Sequence, residues 1–279
     1  LLDHDFDAER SFRERGINRS VRFIACSGIV KNQILMKQIQ DIMQLLQKEY
    51  EYPVDIEFTV NLSETGEYSI NLLQCRPLKV FKDIGKAQIP EDIAEEKIIL
   101  ENVHSSMGLS RNVKIDHIVL VDPIAYYNMP YAQKPNVAKL IGTINWKYKG
   151  KNKHMLLMVP GRIGTSSPEL GVPTTFADIS EFEAICEIEE KKAGYNPELS
   201  YGSHIFQDLV EAEILYTAVF ANEKTLRFAP EKLAEYPDIV SLFTEDPELK
   251  QVVHVYDMSK VSCELCNDLQ NERLVLYQQ

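Results

Sequence analysis

Two segments of alternating polar and apolar residues, at 54–60 and 68–75, constrain the fold of this chain more than any other feature. The first lies in Pro-Val-Asp-Ile-Glu-Phe, which begins at Pro53, and the second runs into Leu-Leu-Gln-Cys-Arg-Pro-Leu, which ends at Leu78. Alternation with a period of two predicts β-strands. Residues 61–67, between the segments, are rich in turn-forming types, so we expect a short connection and an antiparallel hairpin.

Four polar residues of this hairpin form a candidate binding site. Side chains alternate faces along a strand, so Asp55 and Glu57 share one face, as do Gln74 and Arg76. The two carboxylates are separated by about 7 Å at Cα, close enough to meet one bound metal cluster. Mg²⁺ takes one or two protein carboxylates together with phosphate oxygens, and an arginine can pair with a phosphate in a fork. The alternative is a half-exposed hairpin with an ordinary charged outer face.

The paired motif resembles the end of the nucleotide-binding domain in the phosphoenolpyruvate synthase and pyruvate phosphate dikinase family. The resemblance covers about residues 35–80, and the loop between the motifs is a few residues longer than expected for the family. It implies an ATP-grasp fold with ATP and Mg²⁺ as cofactors. It also implies that the positions of Asp55, Glu57, Gln74 and Arg76 lie in the ATP/Mg²⁺ site, with Asp55 and Glu57 as the metal ligands.

The segment before the hairpin predicts a short strand at 21–25 and an amphipathic helix at 31–50. The chain begins without Met, and neither a first ATP-grasp half nor the family's phosphohistidine signature is found in it. We therefore expect a fragment of an ATP-dependent phosphotransferase-like protein that is incomplete for catalysis alone. The alternative is a non-catalytic binding or regulatory module that keeps the hairpin as structure.

A length of 279 residues favours two domains. We expect residues 1–85 to be the C-terminal part of an ATP-grasp domain, and residues 95–279 to be a strand-rich α+β domain of unassigned function. Strands are predicted in this second part at 95–103, 118–121, 182–189, 213–220 and 251–257. A further hairpin is predicted from 143–149 and 154–159 around a Gly-containing turn.

A glycine-rich turn at 160–173 is the main candidate site in the second domain. Its donors are Arg162, Thr165, Ser166 and Ser167, and a later Gly-Ser-His step adds His204. Glycines let backbone N–H groups converge, so the two stretches together predict an anion site. The alternative is a structural loop followed by a capped helix start.

These two motifs are similar to a pair found in the C-terminal regions of large bacterial phosphoenolpyruvate/pyruvate-binding proteins. The similarity implies shared ancestry over about residues 97–220 and does not imply a particular reaction.

Net charge and hydropathy limit the classes of partner that this chain is expected to bind. The net charge of −12 disfavours nucleic acid and anionic membranes. The sequence contains neither a run of about 20 apolar residues nor a signal peptide, so we expect a cytoplasmic protein. The expected partners are a nucleotide, a small-molecule phosphate acceptor and the rest of a longer chain.

The five cysteines do not form a disulfide pattern. Cys263 and Cys266 have the spacing of half a zinc site, but the sequence offers no second Cys/His pair to complete it. Ordinary reduced thiols are therefore expected.

Overall fold

The computed structural model describes residues 2–24, 30–62, 67–77, 85–189, 199–200 and 203–279. Cys26, Leu78, Tyr201 and Gly202, which the motifs above include, lie outside these ranges. The chain divides into two compact units, Leu1–Val80 and Phe81–Gln279. In the described ranges, no helix is both long enough and apolar enough to cross a membrane.

The described residues of the first unit include two helices and two small antiparallel pairs of strands. Its elements are β1 (Leu2–His4), α1 (Phe6–Glu14), β2 (Arg22–Ile24), α2 (Gln33–Tyr50), β3 (Val54–Leu62) and β4 (Tyr68–Pro77). The predicted helix at 31–50 and the predicted hairpin are thereby confirmed. β1 pairs with β2, β3 pairs with β4, and α2 contacts β3.

Local chemistry fixes both ends of α2. The Asn32 side chain accepts a hydrogen bond from the backbone N–H of Leu35 at 3.1 Å, which satisfies one of the unpaired donors at the helix start. At the other end, Glu51 adopts a left-handed conformation with φ of 53° and closes the helix. Pro53 then forces extended backbone, so β3 begins directly afterwards.

The second unit alternates strands with helices and short turns. Its strands and helices are, in chain order, β5 (Ile98–Val103), β6 (Ser106–Met107), β7 (Arg111–Lys114), β8 (His117–Val121), α3 (Pro123–Asn128), α4 (Lys134–Tyr148), β9 (Met155–Pro160), β10 (Ala184–Ile188), α5 (His204–Glu211), β11 (Leu215–Val219), β12 (Thr225–Phe228), α6 (Leu249–Val252), β13 (Val253–Asp257), β14 (Cys263–Asp268) and β15 (Arg273–Gln278). The 3-10 turns lie at Glu95–Lys97, Tyr131–Gln133, Phe176–Asp178, Pro230–Glu235 and Val240–Leu242.

Two sheets are built from these strands. The six-stranded sheet has the order β13-β8-β9-β10-β11-β6, and the five-stranded antiparallel sheet has the order β12-β5-β15-β14-β7. The four central strands of the first sheet, β8 to β11, run parallel and follow one another in sequence. Right-handed crossovers between such strands put the connecting helices on one face, which leaves the other face for the second sheet.

The buried side chains divide accordingly into two hydrophobic layers. Val119, Leu157 and Ile185 point to the side where Ile141 and Ile144 of α4 pack. Their neighbours along the same strands point to the five-stranded sheet; this second layer includes Ile118, Leu156, Cys186, Leu265 and Leu276. The result is a helix layer, a mixed sheet and an antiparallel sheet, which confirms the predicted α+β class.

The hairpin predicted at 143–149 and 154–159 is wrong in its first arm, because α4 runs through to Tyr148. Gly142 lies inside this helix. A Cβ at this position would sit 2.6 Å from Asp178 Oδ1, so the glycine allows a close approach of a neighbouring segment. A helix glycine used for packing looks the same in sequence as one that ends a helix.

The strands β14 and β15 were not predicted, and they decide the role of Cys263 and Cys266. Three residues apart on a strand, the two thiols point to opposite faces. Cys263 lies between the two sheets and Cys266 on the outer side of the five-stranded sheet. Burial raises the pKa of both thiols to about 12. Two such thiols cannot chelate one ion together.

Candidate functional site

The register of the β3–β4 hairpin brings the four predicted side chains together. Asp55 lies directly opposite Arg76, and Glu57 lies directly opposite Gln74. Cross-strand partners share a face, and so do residues two apart on one strand. All four therefore project from one face of the hairpin, as the alternation predicts.

A β-bulge at Leu73 keeps this face polar along the whole hairpin. The register passes from Glu57 opposite Gln74 to Phe58 opposite Leu72, so Leu73 has no partner residue across the ladder. The polar face consists of the pairs Asp55 with Arg76, Glu57 with Gln74, Thr59 with Asn71, and Asn61 with Ser69. The opposite face consists of Val54 with Pro77, Ile56 with Cys75, Phe58 with Leu72, and Val60 with Ile70.

The apolar face of the hairpin packs on helix α2. The polar face does not require burial against another element. Leu35 and Ile39 of α2 and Val54 of β3 are buried, and α2 contacts β3. Asp55, Glu57 and Arg76 are half-buried, and Gln74 is exposed. The polar face thus offers two carboxylates, one guanidinium and one amide to a ligand.

Asp55 and Arg76 form a long ion pair. The Arg76 Nε lies 3.8 Å from Asp55 Oδ2, and the two side chains are 22% and 35% exposed. At that distance the pair lacks a direct hydrogen bond, and at that exposure its net contribution to stability is small. The Asp55–Arg76 pair itself would therefore cost little to break when a ligand binds.

The donor set fits magnesium. Among the described residues, no group of three or more His, Cys, Asp or Glu side chains is arranged to hold a metal. Mg²⁺ does not require such a group, because it commonly takes one or two carboxylates and completes its shell with phosphate oxygens and water. Asp55 and Glu57, two apart on one strand face, fit that requirement.

A helix-backed hairpin with an Asp-x-Glu strand and a Gln-x-Arg strand on its polar face is of the ATP-grasp kind. Residues 8–97 match the family model described as pyruvate phosphate dikinase, AMP/ATP-binding domain. Comparison with curated proteins and with solved structures found no match.

In the second unit, the glycine-rich turn and the start of α5 are neighbours. A Cβ at Gly164 would collide with Ile205 Cδ1, so the turn touches the residue directly after His204. This contact lies at the end of β9, at the edge where parallel strands of α/β sheets commonly bind ligands. The two stretches that predict an anion site are therefore adjacent.

The anion that these stretches bind is Glu187, a residue that sequence reasoning missed. This side chain on β10 is fully buried. Its Oε1 accepts from the Ile163 backbone N–H at 2.8 Å and from the Ser200 hydroxyl; its Oε2 accepts from the Ser200 backbone N–H at 2.8 Å and the Tyr216 hydroxyl at 2.6 Å. Burial raises the pKa of the Glu187 carboxyl, and these four hydrogen bonds oppose the shift.

The anion ligands predicted from the sequence are not among these partners of Glu187. Thr165 is buried and its hydroxyl accepts from the Ser167 backbone N–H at 3.1 Å, whereas Ser166 is exposed. Arg162 is half-buried and His204 is exposed. Their binding of an external anion stays a prediction.

A buried lysine lies close to the same turn. Lys134 is 5% exposed, and its ammonium group lies 5.0 Å from the centre of the Tyr126 ring. The Tyr126 hydroxyl donates to the carbonyls of Pro168 and Gly171. Burial lowers the pKa of Lys134, and Glu169 opposes this. Lys134 was not predicted as part of this region, because no motif marks it.

Proposed function

We propose that the polar face of the β3–β4 hairpin holds the magnesium and phosphate groups of ATP in an ATP-dependent phosphotransferase. The family of residues 8–97 supports the nucleotide. The observation that carries the proposal is the register, which places Asp55 opposite Arg76 and Glu57 opposite Gln74, so that all four side chains share one face. The bulge beside this group continues the polar face along the rest of the hairpin.

The residues of this face have distinct roles in the proposal. Asp55 and Glu57 ligate Mg²⁺, which neutralises phosphate charge when it is bound. Ligation of Asp55 breaks its long ion pair with Arg76, and the Arg76 guanidinium forms a fork with a phosphate. Gln74, opposite Glu57, offers an amide to a ligand oxygen or hydroxyl. The phosphate acceptor is a small molecule.

We expect this chain alone to bind Mg-ATP weakly, with a dissociation constant of about 1 mM or higher. An open hairpin face cannot enclose an adenine ring, and ordering the ligand on it is costly. Saturation-transfer NMR with ATP detects such binding. We expect a saturable signal that requires Mg²⁺.

Paired variants test the site. Asp55→Asn combined with Glu57→Gln should abolish the magnesium-dependent signal, because both metal ligands are lost. The matched control is Asp41→Asn, which removes an exposed carboxylate of α2 that pairs with Lys37 at 2.6 Å. A signal that persists in the double variant, or that does not depend on Mg²⁺, would contradict the proposal. A micromolar dissociation constant for Mg-ATP would contradict the expected weak binding and would imply that further residues enclose the nucleotide.

A further inference from the structure

One stretch of the second unit is basic, whereas the chain as a whole is acidic. From Lys134 to His154 the sequence has six lysines and no aspartate or glutamate. Without those six, the other 24 basic residues stand against 42 acidic ones. The stretch forms α4 and the turn that follows it, so its charge is concentrated on one part of the helix layer.

Nearly all of these lysine side chains are exposed to solvent. Lys134 is buried, but the other five lysines of the stretch are exposed. These are Lys139, Lys147, Lys149, Lys151 and Lys153. Three of them contact other residues of the chain: Lys153 pairs with Asp116 at 2.9 Å, Lys147 donates to the Leu242 carbonyl at 2.9 Å, and the Lys151 ammonium lies 5.9 Å from the centre of the Tyr148 ring. Lys139 and Lys149 have no ion pair with any residue in the described part of the chain.

Apolar side chains lie beside these lysines. Trp146, the only tryptophan of the chain, is 74% exposed on α4. Lys139 precedes it by seven residues, which is close to two helical turns, so both lie on the same side of the helix. The contact from Lys147 brings Leu242, 63% exposed, to the end of α4. We call Lys139, Trp146, Lys149, Lys151 and Leu242 the basic–tryptophan surface.

The basic–tryptophan surface has the composition of a binding surface. A tryptophan buries a large area on binding, and together with arginine and tyrosine it dominates interface hot spots. Exposing it in water forgoes that stabilisation. Lysines at the rim would steer an oppositely charged partner toward the apolar centre and fix its position.

We propose that the basic–tryptophan surface binds a short acidic protein segment that carries an apolar side chain. The carboxylates of the segment would face Lys139 and Lys149, and its apolar side chain would pack between Trp146 and Leu242. An extended nucleic acid is disfavoured for two reasons. It would have to cross the acidic remainder of the protein, and it would find one stacking platform where single-strand binders usually offer several.

Trp146 provides its own assay, because any change in the tryptophan fluorescence of this chain reports on this surface. The probe is a short peptide of aspartate and glutamate with one central leucine, and it is titrated into the full chain. We expect a saturable change in emission that weakens as salt is added. The same peptide with alanine in place of leucine should bind at least about fivefold more weakly, because a buried leucine side chain is worth more than 1 kcal/mol.

Charge-reversal variants distinguish binding at this surface from attraction to the overall charge of the chain. Lys139→Glu with Lys149→Glu should weaken peptide binding about tenfold or more. The control is Lys86→Glu with Lys114→Glu, which makes the same change of net charge at exposed positions outside the helix layer. The control should bind as the unchanged chain does. Equal losses in both pairs would overturn the proposal, as would an unaltered affinity in the first pair.

Competing partners give distinct results. A saturable response to an oligothymidine or to phosphatidylserine vesicles, with none to the acidic peptide, would overturn the proposal in favour of that partner. A response that depends only on the concentration of the chain itself would overturn it in favour of a second copy. Trp146→Ala, followed through the polarisation of a labelled peptide, should lose binding while the helical circular dichroism is unchanged.

Discussion

At the scale of single residues, Glu187 shows how one buried carboxylate organises two loops. Each of its oxygens accepts from a backbone N–H, one from Ile163 in the glycine-rich turn and one from Ser200 before α5. Neither turn is held by regular secondary structure at these points. The carboxylate therefore replaces the backbone partners that a sheet or helix would supply.

Replacing Glu187 with glutamine should destabilise the second unit by about 2–4 kcal/mol. The amide has one acceptor oxygen and one NH₂ group, so a donor must face either the Ile163 or the Ser200 N–H in a buried site. Tyr216→Phe is the control, since it removes a single hydroxyl donor and should cost about 1 kcal/mol. Urea unfolding followed by circular dichroism measures both, and equal costs would disagree with this account.

His117 is the second buried polar residue with a measurable consequence. Its Nε2 lies 3.1 Å from the Tyr148 hydroxyl and 3.9 Å from Asp257 Oδ1. Burial lowers the pKa of the imidazole, while Asp257 and Asp116 oppose the shift and Lys153 adds to it. The folded state therefore takes up a proton less readily than the unfolded state does.

Stability should fall as the pH drops below about 6.5, because there the unfolded His117 gains a proton that the folded residue accepts only at lower pH. The slope from this group is at most about 1.4 kcal/mol per pH unit. His117→Gln should flatten the dependence between pH 7 and pH 5. Urea unfolding at several pH values checks this, and parallel curves for the variant and the unchanged chain would count against it.

Residue-level prediction succeeded where parity alone decides the geometry. Asp55, Glu57, Gln74 and Arg76 face one way because β-strands alternate, and no tertiary information is needed for that. Glu187 could not be found in this way. It stands in a strand whose other residues are apolar on both faces, and its partners lie 13 to 29 residues away. The Leu73 bulge was also missed, since nothing in Asn-Leu-Leu-Gln marks the extra residue.

At the scale of elements, two glycines with the same backbone conformation make a matched pair. Gly164 has φ of +70° and Gly150 has φ of +69°. A Cβ at Gly150 would meet no atom within 4 Å, whereas one at Gly164 would collide with Ile205 of α5. Only the second glycine is needed for contact between a loop and a helix.

Gly150→Ala should therefore cost about 1–2 kcal/mol, the usual penalty of a left-handed non-glycine residue. Gly164→Ala adds the displacement of Ile205 to the same penalty and should cost about 1–3 kcal/mol more. Thermal unfolding of both variants gives the comparison. Equal effects would mean that the turn and α5 are not in contact, and the proximity of Arg162 and His204 would lose its basis.

Whether a helix or strand could be predicted depended on how much of its sequence pattern lies within one short segment. α2 has an amphipathic pattern with a capping Asn32, and both lie within one stretch of sequence. α4 has a similar pattern, but Gly142 interrupts it. The glycine allows the close approach of Asp178, which lies 36 residues later in the chain. The strands β14 and β15 are buried on both faces, so they lack the alternation that identifies a half-exposed strand.

At the scale of the whole molecule, the two units differ in how much apolar surface they bury. Among the described residues, only Leu35, Ile39 and Val54 are buried hydrophobics in the first unit, whereas two large clusters fill the second. Large apolar side chains in the first unit remain exposed, including Ile34 at 71% and Leu73 at 62%. A small core of this kind supports little stability.

Backbone amides of β3 and β4 should therefore exchange with deuterium faster than those of β9 and β10. Local opening costs less free energy where few apolar contacts are broken. Hydrogen-exchange mass spectrometry on the full chain makes the measurement, and the helix α2 should exchange at a rate similar to that of β3, on which it packs. Equal protection in both units would show that the first unit is stabilised by contacts beyond its own core.

The α+β class could be predicted from the mixture of patterns, but the parallel arrangement of β8 to β11 could not. Parallel pairing is a relation between segments 28 or more residues apart, and the hydrophobic run of each strand fits several sheets equally well. The region of resemblance was predictable for the opposite reason, since its specificity lies in two adjacent short motifs.

The bulge at Leu73 also determines which changes of length this hairpin can accept. Leu73 is the one residue of β4 without a partner in β3, so its deletion would leave every cross-strand pair, and the face of every paired side chain, unchanged. Deletion of a paired residue with the bulge retained would instead turn the residues beyond it to the opposite face. Sequences that share this hairpin should therefore differ in length between the two strands or at position 73, and should agree in the spacing of Gln74 and Arg76.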